Sequence, residues 1–208
     1  MISRLAVAMS VILVLGGCST MSKEECLVSD WQAIGFEDGA RGYTADRIGQ
    51  HRKACSDYGI APDLAAYRQG RDEGLEHFCT PQNGFNLGSA GGAYAGVCPK
   101  SLATDFSAAY AEGLRLHDLR SRVSGVDYQI SSLKRQVSDL EGQIDANEQT
   151  IIASETRNLE RARLLLETKD LVDQREDLQD RIHDLELDRA AYQKELDDYR
   201  ETVAYNDR

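Results

Sequence analysis

The chain has 208 residues, and 35 acidic against 24 basic side chains leave a formal net charge of −11. A surface of that sign is repelled by phosphate backbones and gains nothing from counterion release, so nucleic acid is not an expected partner. No polybasic cluster is present to hold the chain on anionic lipid headgroups, and no apolar run reaches the roughly 20 residues of a membrane-spanning helix.

The first element in chain order is an export signal. Arg4 gives a basic start, Leu5 to Leu15 is apolar apart from Ser10, and Leu15-Gly16-Gly17-Cys18 ends the segment. A charged end, a short apolar segment and small residues at the cut define a signal peptide. A cysteine directly after small residues resembles the bacterial lipobox, in which the thiol takes up fatty acyl chains such as palmitate. Residues 1–17 are then the signal peptide and 18–25 a lipidated tether. Acyl chains contribute about 0.8 kcal/mol per buried methylene, and two or more give stable anchoring. Ser19, rather than Asp, follows the cysteine. By resemblance to lipoprotein sorting in double-membraned bacteria, this implies the periplasmic face of the outer membrane. Cleavage removes Arg4 and no acid, so the mature chain is one unit more negative.

Of the five cysteines, Cys18 is assigned to lipid, and Cys26, Cys55, Cys79 and Cys98 remain. An even number in an exported chain reads as two disulfides. Three pairings are open. The sequential one, Cys26–Cys55 and Cys79–Cys98, is favoured because it closes two loops of moderate length. Each bridge would stabilise by roughly 2–4 kcal/mol, which matters for a small domain with a modest core.

Composition changes near Leu114. Residues 26–113 hold all the prolines, the remaining cysteines and most glycines; beyond Leu114 there is no Pro or Cys and charge is dense. The expected domains are therefore a Cys/Gly-rich block at 26–113 and a tail at 114–208. The block repeats an aromatic–glycine pattern: Trp31…Gly35-Phe36…Gly39, Tyr67…Gly70…Gly74, Phe85…Gly88…Gly92 and Tyr110…Gly113. Glycine every fourth residue leaves one helical face without side chains, so another backbone can approach. Because glycine costs about 1 kcal/mol against Ala inside a helix, several of them need a packing reason. Turn glycines between strands are the competing reading, opposed by the lack of Val/Ile/Thr alternation. Short, tightly packed helices are expected.

The string Asp30-Trp31…Gly35-Phe36…Asp38-Gly39, His51…Cys55…Pro62-Asp63…Tyr67…Gly70-Arg71…Gly74, Phe78-Cys79-Thr80-Pro81, Asn83-Gly84 and Gly96-Val97-Cys98-Pro99 resembles DUF2799, a family of uncharacterised bacterial lipoproteins. The resemblance spans about residues 26–113. It implies a lipobox, this cysteine-rich block and a helical tail, and it carries no catalytic residue to transfer.

The tail is a heptad sequence. Leu119, Val123, Val126, Ile130, Leu133, Val137, Leu140, Ile144 and Ile151 step by threes and fours, interrupted only at Asn147. A second seam runs through Leu164, Leu171, Leu178, Ile182, Leu185, Tyr192, Leu196, Tyr199 and Val203, displaced by three residues from the first. Such a pattern with charged flanks is a coiled coil. The slip is either a stammer in one continuous helix or a reversal between two helices. Seams of similar length, and capping residue types at Ser154–Asn158, favour an antiparallel hairpin over a rod. Arg175 and Arg189 at core positions would cover apolar surface with their stems. The fold class is all-α: a small disulfide-braced helical domain followed by a long coiled coil.

No catalytic constellation stands out, and the chain is not expected to be an enzyme. His51 and His77 lie near Cys55 and Cys79, but the spacing is not that of a zinc site and disulfides remove the thiolates. No metal or other cofactor is expected. Glu37 with Asp38, and Asp72 with Glu73, are adjacent and face different directions on a helix, which marks them as solvated or capping charges. Trp31, Tyr67, Phe85 and Tyr94 are candidate ligand-facing aromatics, for example toward a cell-wall glycan, with core packing the simpler account. The expected partners are the membrane, through lipid on Cys18, and a protein or a second copy, through the coiled coil.

Overall fold

The computed structural model describes residues 22–206; the expected signal peptide at 1–17 and Cys18 lie outside them. Among the described residues the chain forms seven helices and no strand: α1 (Lys23–Val28), α2 (Trp31–Ala40), α3 (Arg47–Ser56), α4 (Leu64–Phe78), α5 (Pro81–Ser89), α6 (Lys100–Ile152) and α7 (Asn158–Asn206). None of these helices is long and apolar enough to cross a membrane. The starts are set by side-chain caps. Ser22 and Glu25 form a capping box on α1, while Asp30 and Asp63 accept backbone N–H bonds at α2 and α4. Each cap satisfies donors that an α-helix leaves unpaired in its first turn.

The structure divides into two compact units, residues 22–80 with Ala95–Ala103, and Pro81–Tyr94 with Thr104 onward. The compositional change at Leu114 falls inside α6, which runs through it unbroken. In the second unit α6 packs first on α5 and then on α7, the two contacts overlapping between Glu112 and Leu119, so the packing partner changes while the helix continues.

In the first unit α2 lies against α4 through paired glycines. A Cβ placed on Gly35 would lie 2.1 Å from the Tyr67 carbonyl oxygen, and one on Gly39 2.2 Å from that of Arg71. The reverse contacts are equally close: 1.8 Å from Gly70 to Gln32 O, and 2.1 Å from Gly74 to Phe36 O. Only hydrogen side chains allow helix backbones to approach this far. Beneath them Trp31, Tyr67, Cys26 and Cys55 form a buried cluster with Ile34, Ile48 and Ile60 packed on it. The cysteines are joined as Cys26–Cys55 and Cys79–Cys98, the sequential pairing.

In the second unit α6 and α7 form an antiparallel hairpin, reversing over residues 153–157. Leu119 and Val123 share a core cluster with Leu196, and Ile130 and Leu133 share one with Ile182. Lys134 pairs with Glu186 at 2.9 Å and Asp127 with Arg189 at 2.5 Å across the helices. Those exposed pairs fix register more than stability. Toward the turn the seam becomes polar: Asn147, Arg161, Thr168 and Arg175 each bury a side-chain nitrogen or oxygen that has no hydrogen-bond partner. The α7 seam is one unbroken series of threes and fours once Arg161, Thr168, Arg175 and Arg189 are counted in it.

Two outcomes check this architecture. Gly70→Ala forces a methyl into a backbone carbonyl and is expected to lower stability in chemical denaturation by about 3 kcal/mol. Gly49→Ala, whose Cβ would meet nothing within 4 Å, should instead raise it by about 0.5–1 kcal/mol. Zero-length carbodiimide coupling should join Lys134 to Glu186 within one chain. Peptide mass mapping that finds this link only between chains would contradict the hairpin.

Candidate functional site

The most chemically distinctive place in the first unit is a buried polar cluster between α2, α3 and α4. Asp38 is 5% exposed, although it sits beside Glu37, which is open to solvent and paired with Arg41. The expectation that both acids are solvated or capping is corrected here. Residue 38 lies on the α2 face that the glycines press against α4, so its carboxylate is carried inside. Asp38 Oδ2 accepts from the Tyr67 hydroxyl at 2.8 Å and sits 2.7 Å from His51 Nε2. Arg47 Nε lies 3.9 Å from the other carboxylate oxygen. A buried carboxylate is costly unless paired and hydrogen-bonded, and these three neighbours supply that compensation.

Arg47 and His51 stand one helical turn apart on α3, so both reach the same side of it. Arg47 Nε and His51 Nδ1 are each buried without a hydrogen-bond partner. With Nε2–H directed at the Asp38 carboxylate, Nδ1 of a neutral ring is an acceptor, and it becomes a donor only in the imidazolium. Both residues line an open cleft of about 400 Å³ with Asp38, walled by Ala33 and Ile34.

The same helix pair occurs twice, and the second occurrence acts as an internal control. Gly35-Phe36…Gly39…Gly42 is matched by Gly84-Phe85…Gly88…Gly91 at identical spacing. Both runs end in the same Schellman closure. Gly42 N–H bonds to Gly39 O and Tyr43 N–H to Asp38 O; Gly91 N–H bonds to Gly88 O and Gly92 N–H to Leu87 O. Gly42 and Gly91 both have φ +71°, with a ring from the facing helix, Phe78 or His117, where a Cβ would lie. Gly84 and Gly88 meet the backbone of Phe106 and Tyr110, and Gly113 meets Phe85 O at 2.2 Å, as Gly74 meets Phe36 O at 2.1 Å. On the facing helices Tyr67, Arg71, Gly74 and Phe78 are matched by Phe106, Tyr110, Gly113 and His117 at identical spacing.

In this alignment Asp38 and Tyr67 correspond to Leu87, which is half-buried, and Phe106, which is buried. Each buried ring also has an aromatic neighbour, with His51 and Tyr67 centroids 6.1 Å apart and those of Tyr94 and Phe106 4.7 Å. The second pair fills the place with aliphatic and aromatic groups, and Tyr110 donates to Gly92 O as Arg71 donates to Tyr43 O. Packing of this motif therefore does not require the charges that the first pair buries.

The candidate aromatics divide between the units. Trp31 and Tyr67 belong to the first core, Phe85 packs on the Leu116–Leu119 cluster, and Tyr94 lies 4.7 Å from Phe106. Packing accounts for all four. His77 packs edge-on against Phe36 at 5.3 Å. Sequence reading missed the convergence of Asp38, His51 and Tyr67. The available signal was the interior position of residue 38, which its counterpart fills with leucine.

Burial, then the hydrogen bond to Asp38 and its charge, push the Tyr67 phenol well above its usual value. In the unfolded chain the phenol loses its proton near pH 10, while in the folded chain it keeps it. The unfolded state then binds fewer protons, so stability falls as pH rises above about 10. Ultraviolet titration should show a tyrosine that resists ionisation until alkaline unfolding, and Tyr67→Phe should remove it.

Residues 30–115 match the family model described as protein of unknown function DUF2799. No curated protein and no solved structure matches the chain. The matched span opens at the Asp30 cap of α2 and closes just beyond Gly113, so it takes in both glycine-paired helix pairs. Over that segment, somewhat less than half of the chain, the sequence is similar to the DUF2799 family.

Proposed function

We propose that this chain is a lipoprotein anchored through Cys18 to the periplasmic face of the outer membrane, where it engages a protein partner through the tip of its hairpin. The role is one of interaction rather than catalysis. The layout of residues 1–18 supports the anchor, and the two disulfides fit an oxidising compartment.

One observation carries the assignment to the tip. Ile152, Leu159, Leu165 and Leu166 flank the reversal at 81%, 86%, 55% and 69% exposure, while the rest of the hairpin keeps most of its large apolar groups in the seam. A concentration of exposed apolar side chains marks an interaction surface. Arg157 and Arg163 lie exposed among them beside Glu155, Glu160 and Glu167, so the partner surface carries charges of both signs around an apolar centre.

Photocrosslinking residues placed at Leu159 and Leu166 in cells should capture a discrete partner, and one at the exposed mid-hairpin position Asp139 should not. Leu159→Glu with Leu166→Glu should abolish the adduct with the helical content retained. Equal labelling from tip and mid-hairpin would defeat the tip assignment. Cys18→Ser should release the chain from the membrane fraction, and continued membrane residence would defeat the anchor.

A further inference from the structure

We infer that the cleft over Asp38, Arg47 and His51 is a binding site for a small zwitterion bearing a carboxylate and an ammonium group, the size of an amino acid or a dipeptide. The second helix pair is the starting point. It forms the same glycine contacts and the same Schellman closure with Leu87 and Phe106 in the places of Asp38 and Tyr67, so the buried carboxylate of the first pair serves something other than packing.

The chemistry of the lining selects the ligand. Arg47 Nε–H and His51 Nδ1 are two buried nitrogens without hydrogen-bond partners on one side of α3, Arg47 lying 3.9 Å from Asp38 and over the Tyr43 ring, and the His51 side chain is only 7% exposed. Two converging N–H donors of positive charge are what a carboxylate accepts from. Because Nε2–H is already directed at Asp38, the ring can offer Nδ1–H only as imidazolium. Asp38 offsets one of the two positive charges, and the bound carboxylate offsets the other. At the mouth the signs reverse. Glu25, Asp30 and Glu37 outnumber Arg41 on the exposed rim, where Arg41 pairs with Glu37, so the mouth attracts an ammonium group and repels multiply charged anions. Ala33 and Ile34 give the body of the ligand an apolar wall, and a cleft of about 400 Å³ admits no more than a short peptide.

The site is proton-linked. The charged and titratable groups around the ring are Asp38 on α2, Tyr67 and Arg71 on α4, and Arg47 on α3 itself. Loading the carboxylate takes up one proton at His51 wherever the free ring is neutral, so affinity falls as pH rises.

The test uses the full mature chain made soluble by Cys18→Ser, with alanylalanine as the probe and acetate, ethylammonium and inorganic phosphate as comparisons. Two-dimensional NMR of the imidazole nitrogens should show a saturable change at His51 Nδ1 with the dipeptide. Each single-charge comparison and phosphate should bind at least about tenfold more weakly, and Arg47→Gln should cost a similar factor for the dipeptide, as expected for a lost charge-assisted hydrogen bond. Calorimetry in buffers of different ionisation enthalpy should report proton uptake, a readout that a purely structural His51 would not move. No response at His51, acetate or phosphate binding as tightly as the dipeptide, or affinity that rises with pH would each overturn the proposal.

Discussion

Much of this structure depends on how closely two helix backbones approach when neither carries a side chain at the crossing. Gly35, Gly39, Gly70 and Gly74 leave so little room that a single methyl would overlap a carbonyl oxygen. That spacing decides what the neighbouring residues meet. It drives position 38 inside, brings the Tyr67 hydroxyl to it, and leaves α3 to close the third side with His51 and Arg47. A looser crossing would let water reach the carboxylate and weaken every one of these bonds. The polar cluster follows from the glycines, as the apolar one at Leu87 does in the second pair.

Periodicity made the architecture readable from sequence. The steps of threes and fours gave both seams, and capping residues at Ser154–Asn158 favoured a reversal that the structure forms. Glycine spacing identified helices needing a close neighbour, although not which neighbour, because nothing in Gly35 or Gly70 names the other. Sequential cysteine pairing followed from loop length. Asp38 was not legible for a related reason. Its burial is a property of the α2–α4 crossing, and an acid beside an acid reads as solvated until the opposing helix is in place. The aromatics were legible as core-forming, but their division between two units was hidden, since α6 serves both composition classes without a break.

The two helix pairs show how one scaffold holds different interiors. Their helix ends close with the same hydrogen bonds and their backbones touch at matching glycines. One interior is aliphatic and aromatic. The other holds a carboxylate, an imidazole, a phenol and a guanidinium. Where a frame tolerates both, the polar version is the less economical way to fill space, and its presence separates what the fold needs from what the molecule does with it.

The disulfides have a mechanical consequence. Tension entering at the N-terminal end reaches Cys26, crosses the covalent bridge to Cys55, follows α4 to Cys79, and crosses again to Cys98 and α6. Residues 27–54 and 80–97 hang outside that line of force. Both Gly-Phe helices, α2 and α5, are therefore sheltered from load, together with the α3 face that carries Arg47 and His51. A chain held at one end and pulled at the other would stretch through α4 and the hairpin while its two covalent loops stayed closed.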